Sequence, residues 1–119
     1  MLIVDDNEDA ADSLGAVLRS LGARVAIAYD GASALRLLAA DPPDAVLLDI
    51  GMPGMDGYEV ARQIRNQPQY RDVVLIALTG WGQDNDRRLA QEAGFDHHIG
   101  KPAGIAELRS VMLSLRRER

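Results

Sequence analysis

The sequence predicts an α/β fold in which a parallel sheet of five strands is covered by helices on both faces. Three observations carry that prediction. Short apolar runs alternate strictly with stretches of helical apolar spacing, giving five strand-then-helix units with right-handed crossovers. The strongest run, Val73-Val74-Leu75-Ile76-Ala77-Leu78-Thr79, is almost unbroken in its apolarity, which suits a strand buried on both faces at or beside the centre of the sheet. Asp5, Asp6, Asp49, Thr79 and Lys101 all fall at or just past the ends of predicted strands, and in a parallel sheet those ends share one side, where ligands bind. The order of the strands cannot be read from alternation alone.

Each element has its own signal. Leu2-Ile3-Val4 reads as a strand, and Asp5-Asp6-Asn7-Glu8-Asp9 opens a helix: Asp6 or Asn7 can cap it, and Glu8 and Asp9 suit its positive end. Ala11, Leu14, Val17, Leu18 and Leu21 recur at helical spacing until Gly22 stops the helix. Arg24 to Ala28 is a strand between turn residues, and Ala32 to Ala40 a helix with Leu35 and Leu38 on one face. Asp41-Pro42-Pro43 ends it, because proline cannot continue a helix and restricts the residue before it. The run Asp44-Ala45-Val46-Leu47-Leu48 closes on Asp49 and breaks into a loop rich in glycine and proline, from Ile50 to Gly57. Tyr58 to Asn66 forms the next helix, with Val60, Ala61 and Ile64 inward, and Gln67-Pro68-Gln69 marks its exit. After the Val73 to Thr79 strand and the loop Gly80-Trp81-Gly82, a helix spans Arg87 to Ala93 and ends at Gly94. A shorter strand, Phe95 to Gly100, leads through Lys101-Pro102 to a last helix from Ile105 to about Arg116, striped by Leu108, Val111, Met112 and Leu115.

Composition narrows the function. At 119 residues and 47% apolar content, the chain is expected to fold as a single domain, 1–119. Its net charge of −5, with acids and bases interleaved, argues against a phosphate-backbone footprint and for a protein partner over nucleic acid. No apolar stretch approaches the ~20 residues of a membrane span, and no signal-peptide pattern opens the chain, so a cytoplasmic location is expected. Cysteine is absent, which leaves carboxylates, hydroxyls, one lysine and two histidines as reactive groups.

Three carboxylates brought to one cleft repel one another unless a cation sits among them. Hard oxygen donors favour Mg²⁺, which keeps waters and accepts phosphate oxygens. One carboxylate can then act as a nucleophile. Asp49 would attack phosphorus in line to form an acyl phosphate, with the metal and Lys101 neutralising oxygens and the Thr79 hydroxyl donating a hydrogen bond. Taken singly, these residues have plainer roles: Asp5 and Asp6 as caps, Asp49 as a turn residue, Thr79 as a strand end, Lys101 as a surface charge, and His97 and His98 as alternating strand residues. Rival chemistries fit poorly. An aspartyl hydrolase with an aspartate-x-aspartate motif needs an acid where Asn7 stands, and a nucleotide binder needs glycines or a Walker lysine where Asp5 to Asp9 supply acids.

The motifs Val4-Asp5-Asp6-Asn7-Glu8, Leu47-Leu48-Asp49 with its loop to Gly57, Ala77-Leu78-Thr79-Gly80 and Lys101-Pro102 together resemble the signature of two-component response-regulator receiver (CheY-like) domains. The resemblance spans essentially the whole chain, with each motif at the expected end of its strand. It implies the three-layer, flavodoxin-like (βα)5 fold with strand order 2-1-3-4-5. It also implies that Asp49 is the phospho-acceptor, that Asp6, Asp49 and the Gly51 backbone carbonyl hold Mg²⁺ (or Mn²⁺) directly, and that Asp5 holds it through water. Thr79 and Lys101 would contact the phosphoryl group, the Lys101-Pro102 bond would be cis, and Gly51 and Trp81 would modulate the access of hydrolytic water.

By the same resemblance the domain is not a classical enzyme but catalyses its own phosphorylation and dephosphorylation. Its phosphodonor would be a histidine kinase or a histidine phosphotransfer protein. Its output, to a protein partner or a kinase core, would leave through the face of the fourth helix, fifth strand and fifth helix, roughly Arg87 to Arg116. A monomer or a phosphorylation-dependent homodimer fits this scheme, as does the receiver of a hybrid histidine kinase. The alternative is a receiver that is no longer phosphorylated and serves as an interaction module. Two positions depart from the family pattern. The resemblance makes Thr79 and the switch position on the last strand move together on phosphorylation, and His98 stands at that position where tyrosine or phenylalanine is usual, which adds the prospect of pH sensitivity. Ala103 stands where a bulky apolar residue often follows Lys-Pro.

Overall fold

Short polar residues between the apolar runs decide where the helices begin in the computed structural model, which describes residues 1–51, 56–79, 87–100 and 104–118. Strand β1 (Leu2–Val4) leads into α1 (Glu8–Ser20). Of the two residues able to cap α1, Asn7 does so, its Oδ1 accepting the Ala10 N–H at 3.1 Å. Glu8 and Asp9 occupy the first turn, where negative charge is favoured by the helix dipole. The Asp6 carboxylate takes no part in the cap.

β2 (Ala26–Ala28) is followed by α2 (Gly31–Ala40), whose cap, Asp30, accepts the Ser33 N–H at 2.6 Å. β3 (Ala45–Asp49) is followed by α3 (Gly57–Arg65), capped by Asp56 through the Tyr58 N–H at 2.9 Å. A single 3-10 turn, Pro68–Tyr70, leads to β4 (Val74–Thr79), and α4 (Arg87–Ala93), β5 (His97–Gly100) and α5 (Ile105–Glu118) complete the chain. All strand pairs are parallel, in the order β2-β1-β3-β4-β5. This is the flavodoxin-like arrangement that the resemblance implied.

The boundaries differ from the sequence reading by a few residues, for identifiable reasons. β2 begins at Ala26 rather than Arg24 because its one neighbour, β1, offers only Leu2 to Val4 for pairing. α2 and α3 each begin one residue early, immediately after their aspartate caps. β4 starts at Val74 because the Val73 N–H is taken by the Tyr70 carbonyl at 3.2 Å. β5 starts at His97: Phe95 turns its ring into the core, meeting Tyr58 edge-on with centroids 6.3 Å apart. α5 runs past Arg116 to Glu118.

The sheet divides the core in two. Strand alternation sends Val46, Leu48, Leu75 and Ala77 to the side of α2, α3 and α4, and Leu47, Ile76, Leu78 and Ile99 to the side of α1 and α5. β3 and β4 are buried along their whole length, and each fully buried leucine or isoleucine there contributes about 1.5–3 kcal/mol. This central pair is therefore the rigid element from which the site projects.

Arg65, at the end of α3, joins three segments. Its Nε donates to the Gly94 carbonyl at 2.9 Å, Nη1 donates to the Tyr70 and Arg71 carbonyls at 3.2 and 3.3 Å, and Nη2 pairs with Asp96 Oδ2 at 2.6 Å. The same Asp96 oxygen accepts the Leu75 N–H at 2.9 Å. Gly94 sits at φ 102°, and a Cβ there would run into the Arg65 side chain. The start of β5 is thus clamped to both α3 and β4.

Candidate functional site

The site lies where β1, β3 and β4 end. β1 stops at Val4, and the Asp5 N–H continues the pairing by donating to the Ala28 carbonyl at 3.1 Å. The Asp5 side chain is then buried, and its Oδ1 accepts the Asn7 N–H at 3.0 Å. Asp49, the last residue of β3, does the same one strand over, with Oδ1 accepting the Gly51 N–H at 2.9 Å. These paired aspartate turns fix both carboxylates against the ends of adjacent strands. Register brings them level, since Val4 is opposite Leu48.

Asp6 completes the group. Asp5, Asp6 and Asp49 each offer a carboxylate oxygen, and these oxygens all lie within 4.8 Å of one another. Asp5 and Asp49 are buried, only 2% and 6% exposed, whereas Asp6 faces solvent. Like charges at this spacing repel, and a divalent cation is the simplest way to offset them. The donor set is all oxygen, with neither imidazole nor thiolate among it, and so fits Mg²⁺ better than a softer metal.

Thr79 stands beside this group. Asp49 is opposite Leu78 on β4, so Thr79 lies one residue beyond Asp49 on the neighbouring strand, at 2% exposure. Its Oγ1 is 2.8 Å from His98 Nε2 and 3.5 Å from the Ile99 carbonyl. His98, opposite Ala77, shares the sheet face of Thr79. The resemblance paired Thr79 with His98, but the strand register that brings the two side chains into contact was not legible in the sequence. Lys101, Pro102, Trp81 and Ala103 lie outside the described residues.

A further residue was read only as part of a turn. Gly57 opens α3 against the end of β3, and a Cβ there would sit 2.6 Å from both the Asp49 carbonyl oxygen and the Ile50 Cα. Only glycine lets the helix approach so closely. The one available signal was its place directly after a capping aspartate.

Comparison with known proteins agrees with this geometry. Residues 1–113 match the family model described as the response regulator receiver domain. The chain is 38% identical over 117 residues to the response regulator MprA of Mycobacterium ulcerans, covering 98% of this chain and 50% of that protein. It therefore spans about half the length of the curated relatives it matches. Among solved structures it is similar to the signal receiver domain of a DNA binding response regulator (merR) from Colwellia psychrerythraea, at 32% identity and TM-score 0.89, covering 98% and 96% of the two chains. It is also similar to the signal receiver domain of a signal transduction histidine kinase from Syntrophus aciditrophicus, at 33% identity and TM-score 0.85, covering 96% and 86%.

Proposed function

This chain belongs to the response regulator receiver domain family, and from that premise we propose that Asp49 is its phospho-acceptor. Receiver domains serve phosphorelay signalling, and the fold and acidic cluster are those of such a domain. The observation that carries the assignment is the trio Asp5, Asp6 and Asp49, with its oxygens within 4.8 Å of one another and Asp49 held at the end of the rigid β3.

The donor is a phosphohistidine on a histidine kinase or a histidine phosphotransfer protein. An Asp49 carboxylate oxygen bonds to phosphorus as the donor's phosphorus–nitrogen bond breaks, and the imidazole leaves with the electron pair. Water later cleaves the acyl phosphate, restoring the carboxylate and releasing inorganic phosphate. Asp6, Asp49 and the Gly51 carbonyl would hold Mg²⁺ (or Mn²⁺) directly and Asp5 would hold it through water, supplying positive charge to the phosphoryl oxygens. The Thr79 hydroxyl donates to one of those oxygens and Lys101 pairs with another, while Gly51 and Trp81 set the approach of water.

The output face is α4, β5 and α5. Leu89 on α4 and Ile105 and Leu113 on α5 are each about half exposed, at 47%, 55% and 51%, which supports a protein partner there over nucleic acid. That partner is an output module, a kinase core or a second receiver. The compartment proposed is the cytoplasm, where a histidine kinase's phosphorylated domain would meet a receiver. Among the described residues, no helix is long and apolar enough to cross a membrane.

The test is intact-mass spectrometry after incubation with acetyl phosphate, with Mg²⁺, with chelator, and with Asp49→Asn. A mass gain of a single phosphate that needs both the metal and Asp49 is expected. No gain in the folded protein would reject the assignment and leave an interaction module.

A further inference from the structure

We propose that Arg65 is the latch of a unit made by α4 and β5: its guanidinium positions the turn between them, and when it lets go the helix and the strand open together while the rest of the sheet stays formed.

Little else holds this unit. α4 has seven residues, too few for a helix to persist without packing, and β5 has four and lies at the border of the sheet, so only β4 pairs with it. The apolar hold is small as well. From Arg88 to Gly100 the buried apolar side chains are Ala90, Ala93, Phe95 and Ile99, two of them alanines, while Leu89 is 47% exposed. β3 and β4, by contrast, are buried along their whole length.

Polar bonds at the turn supply the remainder. Asp96 gives Leu75 of β4 a partner for each backbone group: its N–H donates to the Leu75 carbonyl at 2.7 Å, and its Oδ2 accepts the Leu75 N–H at 2.9 Å. A charged carboxylate is thereby set into the ladder at the point where β5 begins, and Arg65 Nη2 offsets it at 2.6 Å. The Nε of the same guanidinium donates to the Gly94 carbonyl at 2.9 Å, just past the end of α4. One planar fork therefore grips the end of the helix and the residue that leads into the strand, which makes the two leave together. Its Nη1, bonded to the Tyr70 and Arg71 carbonyls, anchors the fork to the segment ahead of β4.

Gly94 makes room for the fork. Its φ of 102° turns the chain from helix to strand, and the Arg65 side chain fills the space that a Cβ would take. α4 and β5 belong to the face proposed above for output, and on that reading a partner closes only on molecules whose latch is shut. The latch itself depends neither on that reading nor on Asp49.

The experiment is native-state hydrogen exchange of the backbone amides, read at increasing urea below the unfolding transition. In the wild-type protein the amides of α4 and β5 are expected to exchange together, through an opening whose urea dependence is well below that of β3, which opens only with the whole fold. Arg65→Ala is expected to raise exchange through that opening about a hundredfold, since four hydrogen bonds are lost. Arg65→Lys keeps a charge beside Asp96 without the planar fork, and only part of the protection is expected to return. Arg62→Ala removes an exposed pair with Glu59 from the same helix and is expected to leave α4 and β5 unmoved. The inference is overturned by a wild-type urea dependence equal to that of β3, which needs no variant to fold, or by exchange of β5 without α4. It is overturned equally by no rise in Arg65→Ala, full protection in Arg65→Lys, or the same rise in Arg62→Ala. The readout uses neither metal nor phosphodonor, so none of these outcomes bears on the Asp49 assignment.

Discussion

Replacing Gly57 with alanine tests whether the acceptor is placed by the contact between α3 and β3. The added Cβ would meet the Asp49 carbonyl oxygen and the Ile50 Cα at 2.6 Å, against an ordinary contact of 3.4 Å or more. Both atoms are backbone, so no side-chain rotation relieves the overlap. The helix and strand must separate by about 0.4–0.8 Å, and overpacking of this kind costs about 1–3 kcal/mol. Alanine's helix propensity returns up to about 1 kcal/mol, so a net loss on the order of 1–2 kcal/mol is expected. If part of the separation falls on the strand end, the Asp49 carboxylate moves by about half an ångström, enough to slow phosphoryl transfer on the order of tenfold.

Urea unfolding measures the first quantity and the rate of acetyl phosphate labelling the second. Gly15→Ala is the control. Its Cβ would approach the Ile27 Cδ1 methyl at 3.1 Å, the movable end of a partly buried side chain, within a helix that gains about 0.5–1 kcal/mol from the change. It is expected to leave stability unchanged or raised and the labelling rate unaltered. A Gly57→Ala protein with wild-type stability and labelling rate would refute the reasoning.

Arg65→Ala removes the clamp on Gly94, Tyr70, Arg71 and Asp96, and a loss of about 2–3 kcal/mol in urea unfolding is expected, most of it from the carbonyl bonds because Asp96 is half exposed. A loss no larger than that of Arg88→Ala, whose partner Glu92 is 3.9 Å away and exposed, would contradict that weighting. Acid sensitivity follows from Asp30, held below its ordinary 3.8 by the Ser33 N–H, and from Glu59, held below 4.5 by Arg62. A depressed carboxylate stabilises the fold above its unfolded value and loses that contribution as pH falls through its folded one, so the urea midpoint should decline below about pH 4.5. Asp30→Asn keeps a competent cap without the titration, and a shallower acid limb is expected. An unchanged slope would remove Asp30 from the account.

Much of this architecture was visible in the residues. β3 and β4 announce themselves as apolar runs closed by Asp49 and Thr79, whereas Asp30 and Asp56 were read only as turn residues, and the helices they cap begin one residue earlier than the apolar spacing suggests. What stayed hidden required distance. Whether Asp6 or Asn7 capped α1 was open, and the fold's choice of Asn7 is what leaves Asp6 for the carboxylate group. Arg65 and Asp96 are 31 residues apart, with nothing in either local pattern to pair them. Thr79 and His98 meet only because β4 and β5 align Ala77 with His98. The strand order came from the likeness of four motifs to a family, because alternation of strands and helices is the same for every order.

The shape of the sheet's two borders has a further consequence, for crowding. An outermost strand presents unpaired N–H and C=O groups, on which another extended chain can build, the usual beginning of edge-to-edge aggregation. Here one border is β2, three residues long, and the other is β5, four residues long with two histidines and an exposed glycine. At ~3.3 Å per residue, three residues give a template of only about 10 Å, too short to hold a foreign strand in register. Borders this short disfavour growth of the sheet from one molecule into the next.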